Sequence, residues 1–222
     1  MDPKNSWWKW LGFVLLLYAI PLSWIGKVSV QGMLHETIRN LYYHVSMWFA
    51  MLLLMLLAAY WSVKALATAS LGHDLRAASF SSVAFVFGLA GVATGSLWAR
   101  HTWGTYWTND PKLNGAAGAL LIYAAYFILR ASIPEPLKRL KAAAVYNIFG
   151  FVMTVLLVGL LPRITRSLHP GNGGNPGFGT YDLAGHMRPV FYSMVLGFTA
   201  LGAWIAQIKT RISAVEQKHL IT

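Results

Sequence analysis

The sequence predicts an all-α integral membrane protein with six transmembrane helices and both termini in the cytoplasm. Charged residues make up only 11% of the 222 residues, and hydrophobic residues make up 56%, whereas soluble domains carry about 25% charged residues. Six apolar stretches reach or approach the ~20 residues with which a helix crosses the hydrocarbon core of a bilayer. No stretch alternates with the period of two that barrel strands require, and open strands leave backbone groups unpaired in lipid.

The six helices follow one another through a single membrane domain, which we predict over residues 1–222. Trp7, Trp8 and Trp10 stand at the entry of the first helix, and no small-residue cleavage site follows before Lys27. The first helix therefore lacks the pattern of an ordinary signal peptide. The predicted helices span about 10–30, 42–63, 77–98, 113–131, 142–162 and 190–208.

Two connecting segments are unusual in composition: a tryptophan-rich loop at 99–112 and a glycine-rich loop at 163–189. Eleven of the 18 Lys and Arg residues lie before the first helix, in the connections after the second and fourth helices, and in the C-terminal tail. The positive-inside rule places these segments in the cytoplasm and both unusual loops outside. Because the net charge of +11 is dispersed over loops, we expect no nucleic-acid binding. Five of the seven histidines fall on the outer side: His35, His44, His101, His169 and His186.

The stretch WGTYWTND, residues 103–110, is aromatic where a connecting loop is usually polar. Trp and Tyr favour the headgroup level of a bilayer, so the stretch could belong to an interfacial belt. Trp103, Tyr106 and Trp107 lie within five positions, and their rings could instead form an apolar platform for a planar ligand. Residue types leave both interpretations open. Asp110 precedes Pro111, which predicts an N-cap at the start of the fourth helix.

Two histidines on the outer side are candidate ligands. His44 is the one ionisable side chain that we find inside the six predicted helix cores, and an imidazole there is either a hydrogen-bonded interfacial residue or a ligand. Arg39 lies five residues earlier and could pair with an anionic group or extend to the membrane surface. His169 stands just after the fifth helix, where a solvated loop histidine is the alternative. We expect His44, on a helix end, to be held more rigidly than His169.

A methionine stripe keeps a copper site open as a competing interpretation. Met47, Met51 and Met55 follow His44 at helical spacing, which is typical of core packing but also offers soft thioethers to Cu(I). No Asp, Glu, Lys or Arg lies deep in a predicted span, whereas ion-coupled transporters and proton pumps need such groups. The motifs GxSxG and HExxH of membrane-embedded hydrolases are absent from the sequence.

Three ordered segments resemble the cytochrome c maturation protein C family, a group of haem-handling membrane proteins in the tryptophan-rich WWD superfamily. SLWARHTWGTYWTNDPKL resembles the family's outer tryptophan-rich loop, and IRNLYYHV and ITRSLHPG resemble the histidine segments before and after that loop. The similarity covers about residues 10–208. The sequence departs from the family pattern at Tyr106 and Asn109, where Trp is usual, and at Lys112, where Arg is common.

The resemblance implies a haem-transfer component of a bacterial cytoplasmic membrane rather than an enzyme. His44 and His169 would be the axial ligands of a non-covalent haem b at the outer or periplasmic face. Arg39 and Lys112 would pair with its propionates. Implied partners are a haem chaperone, the subunits of an ABC transporter and membrane lipid. A haem export permease, a copper-binding protein and a purely structural subunit remain alternatives. The implied apolar floor under the haem is the stretch WGTYWTND, in which Trp103, Tyr106, Trp107 and Asp110 are the implied haem-binding residues.

Overall fold

The described part of the chain is helical throughout. The structure, a computed structural model, describes residues 6–29, 34–169, 178 and 183–219, without the side chains of His35 and residues 217–219. Within these ranges there is no strand, and six helices are long and apolar enough to cross a membrane. The predicted fold class is therefore confirmed, whereas the cytoplasmic position of the termini stays a prediction.

Seven α-helices, one 3-10 helix and one π-helical segment make up the described chain. The helix that begins at residue 136 continues through the π-helical segment into α6, so these three form one spanning unit. In chain order the elements are α1 Trp7–Ile25, the 3-10 helix His35–Asn40, α2 Leu41–Thr68, α3 Leu71–Trp103, α4 Pro111–Ser132, α5 Pro136–Thr154, the π-helical segment Val155–Leu160, α6 Leu161–Ile164 and α7 Arg188–His219.

The third spanning helix is longer than the sequence predicts, and this difference corrects the tryptophan-rich loop. Helix α3 begins after Ser70, whose side chain accepts a hydrogen bond from the His73 amide, and ends at Gly104, which adopts a φ of 76°. A glycine in this left-handed conformation is a common helix end. The connection expected at 99–112 is therefore a loop of residues 104–110, and Trp103 belongs to the helix. The predicted helix ends too early because the mean hydropathy falls where polar residues enter the sequence. The backbone nevertheless continues as a helix.

Helices α2 and α3 pack closely along a stripe of glycines. A Cβ atom added to Gly88, Gly91 or Gly95 would lie within 3.0 Å of a side chain of α2, so the absence of a side chain permits the approach. Small residues at this spacing are typical of contacts between membrane helices. The α2 side chains that face the stripe are, in the same order, Met51, Trp48 and His44.

The methionine stripe on α2 is part of the core. Met51 and Met55 are fully buried and pack in one cluster with Leu54, Phe80 and Val83. A flexible thioether fills irregular space between helices. The geometry therefore supports packing for these two methionines and gives no support to a copper site built from them.

A buried ion pair joins α3 to α4 at the end of the bundle where α2 ends. Arg130 donates two hydrogen bonds to the Asp74 carboxylate, at 2.6 and 2.5 Å. The sequence predicts Arg130 as a loop charge and leaves Asp74 outside the predicted helix at 77–98, but both residues lie within helices and are largely buried. The pair tolerates burial because each charge neutralises the other in a two-point geometry.

Candidate functional site

The two candidate histidines converge at one end of the bundle. His44 lies in the first turn of α2, and His169 lies five residues after the end of α6. An electrostatic interaction links His44 to both His169 and Lys112, and Lys112 also acts on His169. The fold therefore brings three residues from three separate segments close together, as the outer-side grouping of the sequence analysis requires.

Helix α3 fixes the orientation of the His44 imidazole. Nδ1 of His44 lies 2.8 Å from the carbonyl oxygen of Gly91 and 3.4 Å from Oγ1 of Thr94. A carbonyl oxygen can only accept, so Nδ1 carries the proton and donates it. A neutral imidazole in this tautomer presents an unprotonated Nε2. A Cβ atom at Gly95 would lie 2.4 Å from Cε1 of His44, so Gly95 provides the space for the ring.

Trp98 completes the surroundings of His44, although its residue type favours an interfacial belt. Its ring centroid lies 6.0 Å from that of His44 at an interplanar angle of 78°. The Trp98 indole N–H donates to Oγ1 of Thr37 over 3.1 Å, which ties α3 to the 3-10 helix. Gly91, Thr94 and Trp98 are not among the site residues predicted from the sequence. The helical spacing of Thr94 and Trp98 on one face of α3 is a signal that could have identified these two residues, whereas the Gly91 carbonyl carries no such signal.

A carboxylate holds the second histidine. Nδ1 of His169 lies 3.1 Å from Oδ1 of Asp110, and Asp110 is only 3% exposed. The same carboxylate accepts hydrogen bonds from the hydroxyl of Ser167, at 2.9 Å to the nearer oxygen, and from the amide of Leu168, at 2.7 Å. Ionised Asp110 only accepts, so Nδ1 of His169 is the donor and Nε2 of this imidazole is also left unprotonated.

Asp110 is also the N-cap of α4, as the sequence predicts. Its side chain accepts a hydrogen bond from the Lys112 amide at 2.9 Å, and Pro111 occupies the first turn. The helix N-terminus favours a negative charge at this position. One carboxylate therefore starts α4 and holds the segment that follows α6.

The protonation states of Asp110 and His169 fit this arrangement. Burial raises the pKa of Asp110, but hydrogen bonds from Leu168, Ser167 and Lys112 outweigh burial and bring this pKa below its ordinary value. Burial lowers the pKa of His169 to about 4, the positive charge of Lys112 acts in the same direction, and Asp110 opposes both. At neutral pH the pair is thus an ionised carboxylate and a neutral imidazole.

The π-helical segment brings the His169 segment towards α4. A Cβ atom at Gly115 would lie 2.3 Å from the carbonyl oxygen of Leu157, so only glycine permits this approach of α4 to the π turn. π-helical turns release carbonyls from the regular α pattern and are common near functional sites. The approach lies about one turn of α4 beyond Asp110, and therefore supports the contact between Asp110 and His169.

The aromatic residues of WGTYWTND do not behave as one unit. Trp103 packs edge-on against His169, with ring centroids 4.8 Å apart and planes at 80°. Tyr106 and Trp107 are 57% and 41% exposed, and Arg100 lies 5.9 Å from the centre of the Tyr106 ring. Among the described residues no ring contact joins these three aromatics to one another. Trp103 therefore belongs with His169, while Tyr106 and Trp107 present open faces.

Arg39 contacts the 3-10 helix and the end of α1, and its predicted contact with an anionic group stays a prediction. Its guanidinium donates to the carboxylate of Glu36 at 2.6 Å and to the carbonyls of Ser23 and Gly26 at 3.0 and 2.8 Å. None of these contacts involves His44 or His169, and together they tie the 3-10 helix to the end of α1. His101 and His186 are exposed, and residues 170–177 and 179–182 of the glycine-rich loop lie outside the described residues.

The imidazoles of His44 and His169 suit a metal that is already bound by most of its other ligands. No group of three or more His, Cys, Asp or Glu residues is placed to hold a metal ion within the described ranges, whereas a structural zinc site needs about four protein ligands. Two imidazoles with unprotonated Nε2 atoms match the axial positions of a haem, whose iron already has four porphyrin nitrogens. Trp98 and Trp103 add aromatic surface beside each imidazole.

Comparison with known proteins gives a single family. The family model described as "Heme exporter protein C" matches residues 2–221. A heme exporter protein C from Paracoccus denitrificans is 27% identical over 62% of this chain and 56% of its own length. A heme exporter protein C from Bradyrhizobium diazoefficiens is 32% identical over 36% of this chain and 30% of its own length.

A second group of relatives carries another name. A cytochrome c biogenesis protein CcsA from Parasynechococcus marenigrum is 33% identical over 41% of this chain and 31% of its own length. The chain thus spans about one third to just over one half of the length of these curated relatives.

Proposed function

Because the chain belongs to the heme exporter protein C family, we propose that it binds a non-covalent haem b and delivers it to a haem chaperone during cytochrome c maturation. His44 and His169 are the axial ligands of this haem. The site faces the periplasm or the outside of a bacterial cytoplasmic membrane, and the partners include the subunits of an ABC transporter. The chain acts as a transfer component and not as an enzyme.

One observation carries this proposal: both imidazoles are fixed through Nδ1 at the same end of the bundle. Gly91 accepts from His44, and Asp110 accepts from His169. Such partners orient a ligating histidine, select its tautomer and raise its basicity. Nε2 of each ring is therefore the unprotonated atom that would ligate iron, and the two rings come from separate segments of the chain.

The remaining residues supply surface and charge for the porphyrin. Tyr106 and Trp107 expose apolar rings next to the site, where they can cover a planar ligand. Lys112 interacts with both histidines and is the cation best placed for a propionate. Arg39 is satisfied by Glu36 and two carbonyls, so it contributes to a propionate only after it leaves Glu36.

The proposal is tested by purifying the protein in detergent and recording its visible spectrum. A haem Soret band that His44→Ala and His169→Ala both change, and transfer of that haem to the purified chaperone, are expected. A colourless protein that also takes up no added haem would overturn the binding step. Haem that binds but never moves to the chaperone would overturn the delivery step alone.

A further inference from the structure

A cavity that opens widely at the surface lies at the opposite end of the bundle from His44 and His169. It has a volume of about 400 Å³, which is within the range of small-ligand sites. It lies among the start of α3, the end of α4, the start of α5 and the C-terminal part of α7. The apolar lining consists of Leu75, Phe127 and Ala131. The polar lining consists of Arg130, Arg139, Ser213 and Glu216.

Opposite charges face this cavity without pairing to each other. Arg130 is already bound by Asp74 at two points. The side-chain hydrogen bond described for Arg139 is a long contact of 3.5 Å to the carbonyl of Ile133. Among the ion pairs of the described residues, none joins Arg139 to Glu216, although both side chains line the same space.

We propose that this cavity binds the headgroup of a phospholipid that carries both a phosphate and a primary ammonium group. Arg139 binds the phosphate, since a guanidinium matches phosphate oxygens with paired donors. Glu216 binds the ammonium, and the Ser213 hydroxyl adds a hydrogen bond to the phosphate. The glycerol and the upper acyl chains lie against Leu75 and Phe127.

The choice of a zwitterionic headgroup follows from the charge balance of the lining. Basic pockets between helices at a membrane surface are typical sites for lipid headgroups. Here, however, the carboxylate of Glu216 would repel a purely anionic headgroup, and Asp74 already neutralises Arg130. A headgroup with both charges satisfies Arg139 and Glu216 together. This assignment is independent of haem binding, because the two sites lie at opposite ends of the helices.

Native mass spectrometry of the delipidated protein with equal amounts of phosphatidylethanolamine and phosphatidylglycerol tests the proposal. The wild type should retain phosphatidylethanolamine in preference, by about tenfold for one charge-assisted contact. Arg139→Gln should lose both lipids to a similar degree. Glu216→Gln should bind both lipids equally, since it removes only the contact to the ammonium.

Lys138→Gln is the matched control, because Lys138 is exposed and pairs with Glu135 outside the cavity. It should keep the wild-type preference. Equal binding of the two lipids by the wild type would overturn the proposal, and so would a loss in Lys138→Gln equal to that in Arg139→Gln. Displacement of the lipid by an equal concentration of soluble glycerophosphoethanolamine would overturn the assignment to a lipid.

Discussion

Asp110 and His169 lie 3.1 Å apart between Oδ1 and Nδ1, and this contact joins the start of α4 to the segment after α6. Asp110 also accepts from Ser167 and Leu168, so the carboxylate holds three consecutive residues. His169 is therefore bound by the site before any ligand arrives, although it follows the last helical turn of α6. The ordering of this segment does not have to be supplied by haem alone.

The role of Asp110 in holding His169 can be separated from its role as the N-cap of α4. Asp110→Ser keeps a good N-cap for α4, but the serine side chain is too short to reach His169. We expect haem affinity to fall about 10–100-fold, as for other residues that support a metal ligand. In the haem-free protein, trypsin should cleave faster after the exposed Arg166, because Ser167 and Leu168 lose their acceptor. Both effects are measured against Asn109→Ala, whose side chain contacts Asn114.

An unchanged cleavage rate together with unchanged haem affinity in Asp110→Ser would contradict this role. A faster cleavage with unchanged affinity would assign Asp110 to the stability of the segment only. The two readouts therefore separate the local fold from the ligation of iron.

A second prediction concerns the space that α3 leaves for His44. In Gly95→Ala the new Cβ atom would lie 2.4 Å from Cε1 of His44, so the imidazole must turn away from the Gly91 carbonyl. We expect most of the bound haem to be lost and the packing of α2 against α3 to be weakened, because small residues permit this close approach. Gly72→Ala is the control on the same helix, because its Cβ meets only Oγ of Ser70 at 3.7 Å. Haem content and thermal unfolding of both variants check the prediction, and full retention in Gly95→Ala would refute it.

The sequence predicts what depends on local patterns. The six apolar helices, the N-cap at Asp110 and the grouping of His44 with His169 at one end all follow from residue type, spacing and topology. The bounds of α3 differ because a hydropathy window responds to side chains, whereas the helix continues until Gly104 provides a left-handed end. Arg100 and His101 interrupt the apolar run without interrupting the backbone hydrogen bonds.

The contacts that the sequence does not predict are those between separate elements. The partner of His44 is a backbone carbonyl of α3, and a carbonyl carries no sequence signal. The tie between Asp110 and His169 joins residues that only the packing of α4 beside the π-helical segment brings together. The contacts of Arg39 with the carbonyls of Ser23 and Gly26 at the end of α1 are likewise not visible in the sequence.

A third prediction separates a ligand-binding ring from a membrane-belt ring. Trp107 is 41% exposed and Trp24 is 66% exposed, and both lie at the end of the bundle that holds the histidines. Stacking of a planar base on an aromatic ring contributes ~1–3 kcal/mol in comparable sites. Trp107→Ala should therefore weaken haem binding, while Trp24→Ala should leave it unchanged. Equal haem affinity in the two variants, measured by titration, would assign Trp107 to the belt.

A fourth prediction concerns orientation in the membrane. The distribution of Lys and Arg residues predicts that both termini lie in the cytoplasm. A reporter that is active only in the cytoplasm should thus be active when it is fused after Thr222. A reporter that is active only after export should be active when it is inserted at Gly174. Alkaline phosphatase and green fluorescent protein fusions report the two sides. A cytoplasmic signal from the Gly174 insertion would place His44 and His169 on the inner face and remove the proposed delivery to an outer chaperone.

The last prediction tests whether each axial ligand is held through Nδ1. In His44→Gly and His169→Gly, added imidazole should restore a six-coordinate haem spectrum, because it can bind iron and still donate to Gly91 or Asp110. 1-Methylimidazole binds iron equally through its free nitrogen but has no N–H to donate. It should rescue His44→Gly about fivefold less well, since a neutral hydrogen bond contributes ~1 kcal/mol. The deficit should be larger for His169→Gly, where the acceptor is a carboxylate.

The larger rescue deficit of His169→Gly follows from the hydrogen-bond acceptor of each imidazole in the structure. It does not follow from the identity of the ligand residues alone. Without the Asp110 carboxylate, the two histidine sites would be rescued alike. The measurement is a titration of each variant with both compounds, followed by the Soret shift, with His101→Gly as a control that should need no rescue. Equal rescue by imidazole and 1-methylimidazole in both variants would show that Nδ1 donates to neither partner when haem is bound. A His169→Gly variant that stays six-coordinate without any addition would show that another side chain ligates the iron, with His186 and His101 as the exposed alternatives.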